Sequence, residues 1–255
     1  QAGEVEWKNG NLEYKDWTSD LHVDSCIKID INRPEYSWAL TKLSVASMRT
    51  SGDHAAEMAT QSVMGTPLKV LQKDDEWYKV ETPEGYQSYI PGSSIQMLDS
   101  AAFYNWKHAK RYIVTAYQSQ LTTQPGGDET VSDLVLGNIL EYKDKKGKYL
   151  LLSTPDGRTG YAAAADVEEL SEWANKPFTT AQVLKTAKRM MGSPYFWGGT
   201  STKMTDCSGL SKISYLSAGV ILRRDAWQQA LSGEKIEAKD WAKAQAGDLF
   251  FFGSR

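Results

Sequence analysis

The stretch PYFWGGTSTKMTDCSGLSK, residues 194–212, carries Cys207, one of two cysteines in the chain. A thiol becomes a working nucleophile when its environment stabilises the negative charge on sulfur. The run CSGLSKISYLSAG predicts a helix with Leu210, Ile213 and Leu216 on one side. Cys207 then sits in the first turn, beside unpaired backbone N–H groups and the positive end of the helix dipole, both of which favour thiolate. Gly198 and Gly199 let backbone approach closely, and Tyr195, Phe196 and Trp197 are placed to wall a pocket beside the sulfur. A lone cysteine is more often a core residue than a catalyst, and it is the arrangement around Cys207 that points to chemistry.

Cys26 lies in HVDSCIKIDI, where Val23, Ser25, Ile27 and Ile29 alternate against Asp24, Lys28 and Asp30 as in a half-buried strand. It reads as a small buried hydrophobe. The two cysteines are far apart, and no CxxC or Cys/His cluster supplies metal-ligand spacing. The expectation is no disulfide scaffold, no metal and no cofactor.

A length of 255 residues predicts more than one compact unit and a sizeable core. The formal charge of −3, with acids and bases interspersed, gives no footprint for nucleic acid or anionic membrane. No apolar run approaches the roughly 20 residues that span a bilayer. The start QAGEVEWKNG lacks the basic and apolar regions of a signal peptide, but signal cleavage would leave a similar start, so export stays open.

Residues 63–98, VMGTPLKVLQKDDEWYKVETPEGYQSYIPGSSIQML, align without a gap to residues 135–170, VLGNILEYKDKKGKYLLLSTPDGRTGYAAAADVEEL. The offset of 72 pairs Gly65 with Gly137, Leu68 with Leu140, Pro83 with Pro155, Gly85 with Gly157 and Tyr89 with Tyr161. Each copy alternates apolar runs with turn signals, KDDE and KDKKGK, then TPEG and TPDG, as in a small all-β unit. The lysines of KDKKGK read as a solvated hairpin tip. Beyond SEWANKPF the period changes. Thr179 or Thr180 caps a predicted helix carrying Val183, Leu184, Ala187, Met190 and Met191, ended by Gly192, and GDLFFF, residues 247–252, reads as a buried strand. The third unit is α+β.

The motifs PYFWGG, DCSGL, RRDAWQQ and AGDLFFF together resemble the NlpC/P60 cysteine peptidases, and the paired repeats resemble the bacterial SH3 (SH3b) domains that precede the catalytic domain in one subgroup. The resemblance runs from about residue 41 to the end. It implies two all-β SH3b-like barrels followed by an α+β papain-like domain: an N-terminal β segment at 1–40, SH3b domains at 41–100 and 101–172, and an incomplete NlpC/P60 domain at 173–255. The nearest members look like γ-D-glutamyl-L-diamino acid endopeptidases acting on murein peptides with a free N-terminal L-Ala. By resemblance the chain is a monomer of the bacterial cell envelope, periplasmic or secreted, with cytoplasmic recycling as the other setting.

In that family the DCSG cysteine is the nucleophile, which carries over to Cys207 and a thioester with the γ-D-Glu acyl group. The substrate-contacting aromatics match Tyr195 and Trp197, and the flanking acid and serine match Asp206 and Ser208. Two plainer readings stand beside these: Trp197 as core, and Asp206 as helix N-cap. A free ammonium needs an anion beside it when desolvated. The subgroup's residues for that role correspond to Glu57 in SMRTSGDHAAEMATQ, Tyr86 in EGYQSYI and Asp225 in RRDAWQQ. The repeat supports Tyr86 independently, because the second copy has Arg158 at that place; Glu57 meets Glu129, which leaves a structural role equally open. Two positions depart from the subgroup: Ala226 stands where relatives often carry Ser, and Tyr89 where many carry Trp.

Cysteine acyl transfer needs a base, which the family supplies as a His after the GDLFFF strand. The chain's three histidines, His22, His54 and His108, are not at that place. Three readings follow in order: a peptidase whose His-bearing C-terminal segment lies beyond Arg255, a murein-peptide-binding pseudoenzyme, and a related fold with acyltransferase or amidase chemistry.

Overall fold

The computed structural model describes residues 5–8, 11–14 and 38–253; the strand predicted around Cys26 lies outside them, as does His22. A hairpin of β1 (Val5–Lys8) and β2 (Asn11–Tyr14) comes first. The first sheet contains β3 (Trp38–Thr41), β4 (Val45–Arg49), β5 (Met58–Val63), β6 (Pro67–Asp74), β7 (Trp77–Glu81), β8 (Gln87–Pro91) and β9 (Ile95–Leu98), in the order β5-β4-β8-β7-β6-β3-β9. After the helix α1 (Ser100–His108), the second contains β10 (Arg111–Val114), β11 (Gln118–Thr122), β12 (Thr130–Val135), β13 (Ile139–Lys146), β14 (Tyr149–Ser153), β15 (Thr159–Ala163) and β16 (Val167–Glu169), in the order β12-β11-β15-β14-β13-β10-β16. Strand for strand the two orders are the same.

The repeat extends to local geometry. A register shift between Val70 and Gln72 recurs between Tyr142 and Asp144. Gly85 and Gly157 turn their chains at φ +80° and +85°, and each N–H donates to the threonine carbonyl three residues back at 2.9 Å. Positive φ costs glycine nothing, which is why TPEG and TPDG end as they do. Leu68, Val80 and Ile90 pack the first core, and their repeat partners Leu140, Leu152 and Ala162 pack the second. The lysines at 143–146 form an exposed tip.

The segment holding His108 reads as linker from sequence, yet it forms α1. Asp99 caps it, accepting from the Ala102 N–H at 2.7 Å. Its aromatics form a stack from Trp38 to Phe103 (4.2 Å) to Trp106 (6.3 Å), with the Arg111 guanidinium 4.5 Å from the Trp106 ring. The helix thereby lies against both sheets' ends.

Contact between the two β units is close and polar. The Ile139 N–H donates to the Met64 carbonyl at 2.9 Å, and the buried Asn138 amide donates to the Ser44 carbonyl at 2.9 Å while accepting from the Val135 N–H. The Ser44 hydroxyl donates to Asp133 at 2.8 Å, and Lys203 of the third unit pairs with the same carboxylate.

The third unit contains α2 (Leu170–Ala174), α3 (Thr180–Arg189), the hairpin β17 (Thr200–Ser201) and β18 (Met204–Thr205), α4 (Cys207–Leu216) and α5 (Ala226–Gln229). The helix predicted after Thr179 starts at Thr180 and leads into Gly192 at φ +86°. Val183 and Met190 are buried as the period requires; Met191 is exposed, because the chain leaves the helix before it. α3 packs on α4, with Met190 against Ile213 and the Thr186 hydroxyl donating to Ser217 at 2.7 Å. The strand predicted over 247–252 does not form, and Phe250, Phe251 and Phe252 are exposed. No strand among the described residues pairs with this segment, so it makes no ladder and stays on the surface.

At Gly65 the chain runs at φ +78°, and a Cβ there would lie 2.2 Å from the Ile139 carbonyl oxygen. Gly65→Ala combines backbone strain with a clash against backbone and is expected to cost about 2–4 kcal/mol in urea denaturation. Gly85→Ala, where nothing lies within 4 Å of the added atom, carries the strain alone and should cost about half as much.

Candidate active site

Cys207 is the first residue of α4, and its side chain is exposed. The residue before it, Asp206, is the N-cap and is 6% exposed. One carboxylate oxygen accepts from the Gly209 N–H at 2.8 Å, and the other accepts from the Gly198 N–H at 3.0 Å. The same group therefore closes the first turn of the cysteine helix and ties it to the loop that carries the aromatics. Gly198 and Gly199 are required by the closeness of that loop. A Cβ on Gly198 would meet the Met58 carbonyl oxygen at 2.7 Å, and one on Gly199 would meet the Phe196 oxygen and the Thr205 Cα at 2.8 Å.

Opposite the carboxylate stands Arg224, 3% exposed. Its Nη2 lies 2.5 Å from Asp206 Oδ2, its Nη1 donates to the Ser208 hydroxyl at 2.8 Å, and its Nε donates to Thr60 Oγ1 at 2.9 Å. Thr60 belongs to β5 of the first sheet, so one guanidinium joins two units. Thr60 also shares a hydrogen bond with Thr200 at 3.1 Å, and Gln61 Oε1 accepts from the Thr200 N–H at 2.8 Å. Gln229 completes the frame, its amide donating to the Ser208 carbonyl at 3.1 Å and the Arg223 carbonyl at 2.8 Å.

Tyr195 and Trp197 are 63% and 62% exposed, which removes the core reading of Trp197. Tyr195 bridges to Thr205, and the Phe196 N–H donates to the Thr205 carbonyl at 3.0 Å, which sets Tyr195 beside the strand that leads into Cys207. Partial desolvation raises the Tyr195 phenol above its ordinary pKa, and the neighbouring Cys207 and Asp206 raise it further, so this hydroxyl keeps its proton and can donate it as a hydrogen bond.

Asp225 and Glu57 both act on Tyr86 through their charges. Burial first, then the charge of Asp225, raises the Tyr86 phenol; Arg224 opposes, and Asp206 and Glu57 add to the rise. Glu57 is exposed, and its carbonyl accepts from the Thr50 N–H at 3.0 Å. Burial pushes the Asp225 carboxyl above the ordinary aspartate value, with Arg224 pulling it down and Asp206 pushing it up. The Asp225 N–H donates to Gln228 Oε1 at 2.9 Å, which fixes the start of α5. Ala226, where a hydroxyl was expected by resemblance, places none at this point.

Among the residues singled out from sequence, Tyr195 acts on Cys207 and Asp206, Asp206 and Ser208 meet on Arg224, and Asp225 and Glu57 act on Tyr86; Trp197 is exposed. Arg224, Thr60 and Gln229 were missed. The sequence does carry a signal for Arg224, an arginine directly before a site aspartate, but its partner Thr60 lies 164 positions away. The two described histidines sit elsewhere. The His54 ring is edge-on to Trp77 at 4.8 Å, and His108 stacks on Tyr104 at 4.0 Å in α1.

Residues 192–255 match the NlpC/P60 family, and residues 48–95 match the bacterial dipeptidyl-peptidase Sh3 domain. The chain is 26% identical over 222 residues to dipeptidyl-peptidase 6 of Lysinibacillus sphaericus, covering 84% of this chain and 81% of that protein. It is 25% identical over 248 residues to the gamma-D-glutamyl-L-lysine dipeptidyl-peptidase of Bacillus cereus, covering 92% and 72%. The crystal structure of an NlpC/P60 family protein from Bacillus cereus superposes with a TM-score of 0.71 at 20% identity, over 82% of this chain and 81% of that one, which shows a shared fold.

Removing one partner of a buried ion pair leaves the other charged and unpaired. Arg224→Met is expected to destabilise the protein by about 3–5 kcal/mol in chemical denaturation. Arg224→Lys keeps the charge but cannot reach Asp206, Ser208 and Thr60 at once, and should fall between the two.

Proposed function

We propose that this chain, which carries an NlpC/P60 cysteine-peptidase domain behind a bacterial dipeptidyl-peptidase SH3 domain, hydrolyses the γ-D-Glu–diamino acid bond of murein peptides whose N-terminal L-Ala is free. It releases L-Ala-γ-D-Glu, and its site of action is the bacterial envelope or the recycling of wall peptides. The second seven-stranded sheet is on this reading a second SH3b domain, since its strand order repeats that of the first. What supports the substrate assignment is that the charges of Asp225, from the third unit, and Glu57, from the first, both act on Tyr86, while Asp225 directly follows Arg224, which holds Asp206 at the start of the cysteine helix.

The chemistry follows from the placement. The Cys207 thiolate attacks the γ-carbonyl, and the oxyanion is held by backbone N–H at the start of α4 and by the Tyr195 hydroxyl. Collapse expels the amine of the diamino acid and leaves a thioester, which water then hydrolyses. Each half-reaction moves a proton between sulfur, amine and water, and an imidazole at the thiol is the group suited to it. Neither His54 nor His108 is drawn to that place, so the acid–base partner is a separate question from recognition.

Recognition of the free amine falls to carboxylates. An L-Ala ammonium lodged between Glu57 and Asp225, with Tyr86 accepting or donating beside them, is compensated; an N-acetyl group brings no charge and adds bulk. The N-cap Asp206 is already engaged by four donors, so it shapes the floor of the pocket.

The test is product analysis with L-Ala-γ-D-Glu-L-Lys. L-Ala-γ-D-Glu should appear, disappear with Cys207→Ala, and fail to appear from the N-acetylated peptide. Binding of the free peptide without product would replace hydrolysis by peptide capture, and equal treatment of free and acetylated peptides would remove the amine pocket. Glu57→Gln and Asp225→Asn should each weaken affinity for the free peptide about 10- to 100-fold, the range of one charge-assisted hydrogen bond.

The raised Asp225 pKa gives a pH signature. The group must be ionised to hold an ammonium, so affinity is full above its pKa and is lost as pH falls through it, beginning higher than for an ordinary aspartate near about 3.9. Calorimetry across pH should show this fall in the wild type, and the part due to Asp225 should be missing in Asp225→Asn.

A further inference from the structure

We infer that the ion pair between Glu84 and Lys212 is the positioning device that holds the two halves of the peptide-recognition site in register, and so sets specificity for the free amine. The inference rests on the amine-pocket reading above. Lys212 lies on α4, five positions after Cys207; Glu84 lies in the TPEG turn of the first sheet, two positions before Tyr86. Lys212 Nζ stands 2.8 Å from Glu84 Oε1, and the two side chains are 13% and 9% exposed. Lys212 Nζ also donates to the Leu222 carbonyl at 2.7 Å, in the segment that leads to Arg224 and Asp225. One ammonium therefore gathers three pieces of chain: the helix of the nucleophile, the loop carrying Asp225 and the turn carrying Tyr86.

The second copy of the repeat is an internal control. Its TPDG turn has the same backbone hydrogen bonds, with the Thr154 N–H donating to the Arg158 carbonyl at 2.9 Å as the Thr82 N–H donates to the Tyr86 carbonyl at 3.0 Å. There the acid, Asp156, accepts from Thr154 Oγ1 at 2.6 Å and from Arg158 Nε at 2.9 Å, all within the turn. Arg158 occupies the place of Tyr86. The turn thus folds with its acid spent on itself. In the first copy the acid is one methylene longer and the local basic partner is replaced by Tyr86; the carboxylate keeps the contact with Thr82 in its own turn and also reaches across to α4. Both changes send a side chain toward the third unit.

Glu84 and Lys212 border a half-open cavity of about 80 Å³ between the three units, walled by Ile113, Ile139, Leu216 and Ile221. Apolar packing of α4 reaches the second sheet through Leu216, and toward the TPEG turn a directional charged contact adds distance and angle to it. Burial alone would push the Glu84 carboxyl up, but the charge and hydrogen bond of Lys212 outweigh it and hold the group below its ordinary value. Glu84 is an anion held for Lys212.

The experiment is calorimetry of L-Ala-γ-D-Glu-L-Lys and its N-acetyl form against full-chain protein carrying Cys207→Ala, so that binding is read without turnover. Alkylation of Cys207 by iodoacetamide is followed by peptide mapping in the parent background. Glu84→Gln, which keeps the side chain's shape, should raise the Kd of the free peptide about tenfold, and the reversed pair Glu84→Lys/Lys212→Glu should recover most of that loss. Asp156→Asn, the same change in the other turn, should leave the Kd where it was. The alkylation rate of Cys207 should be the same in all of them, because the first turn of α4 is held by Asp206 rather than by Lys212.

Unchanged affinity in Glu84→Gln overturns the inference and leaves the amine pocket standing. So does an equal loss in Asp156→Asn, or an alkylation rate that shifts with affinity, since either marks a general structural effect. Absence of free-peptide binding in the parent protein overturns the amine-pocket reading, and this inference with it.

Discussion

The Asp206 carboxylate with the Arg224 guanidinium against it is the contact on which the rest of the site depends. A helix begins with N–H groups that have no partner, and the nucleophile here stands among them. Asp206 spends one oxygen on the Gly209 N–H and the other on the Gly198 N–H, fixing the first turn and the aromatic loop with one group. A carboxylate that buried would be costly alone, and Arg224 makes it tolerable. The guanidinium then has a third edge to satisfy, and Thr60 of the first sheet takes it. From one capping requirement the chain reaches a contact between units.

That consequence explains why the two copies of the β unit have diverged where they have. Their sheets share strand order, bulge position and glycine turns, because each must close its own core and each turn needs positive φ at the same place. The constraint stops at residues that look outward. Arg158 in the second copy turns back on Asp156, whereas Tyr86 in the first faces Asp225 and Glu57. Duplication supplies a scaffold twice: the second copy meets the cysteine helix through apolar Leu136 and Ile139, and the first through the Glu84 carboxylate.

The same distinction separates what the sequence disclosed from what it did not. The repeat was legible because its signals are local: Gly85 and Gly157 follow their own prolines, and apolar residues alternate along each strand. The cysteine helix was legible for the same reason, with Asp206 in cap position and Leu210, Ile213 and Leu216 one face apart. Arg224, Thr60 and the Glu84–Lys212 pair were not, since their meaning lies in partners 128 to 164 residues apart that leave no pattern in either neighbourhood. α1 was missed although Asp99 is a cap, because the basic and aromatic residues after it carry no apolar stripe. The 247–252 run failed in the opposite direction: an apolar string satisfies the pattern of a strand but cannot supply its own ladder.

Polar contacts stand beside apolar ones between the units, and what they add bears on the site. Apolar burial is non-directional, so an interface built from it alone leaves sliding and rotation cheap, and the cavity beside Leu216 shows that such packing is incomplete here. Hydrogen-bonded charges impose distance and angle together. Ser44 with Asp133 and Lys203, Thr60 with Arg224, and Glu84 with Lys212 each join different units. On the proposed reading, a site whose Cys207 comes from one unit and whose Tyr86 comes from another needs that fixity, because a small displacement between them would misplace the scissile carbonyl even with every residue present.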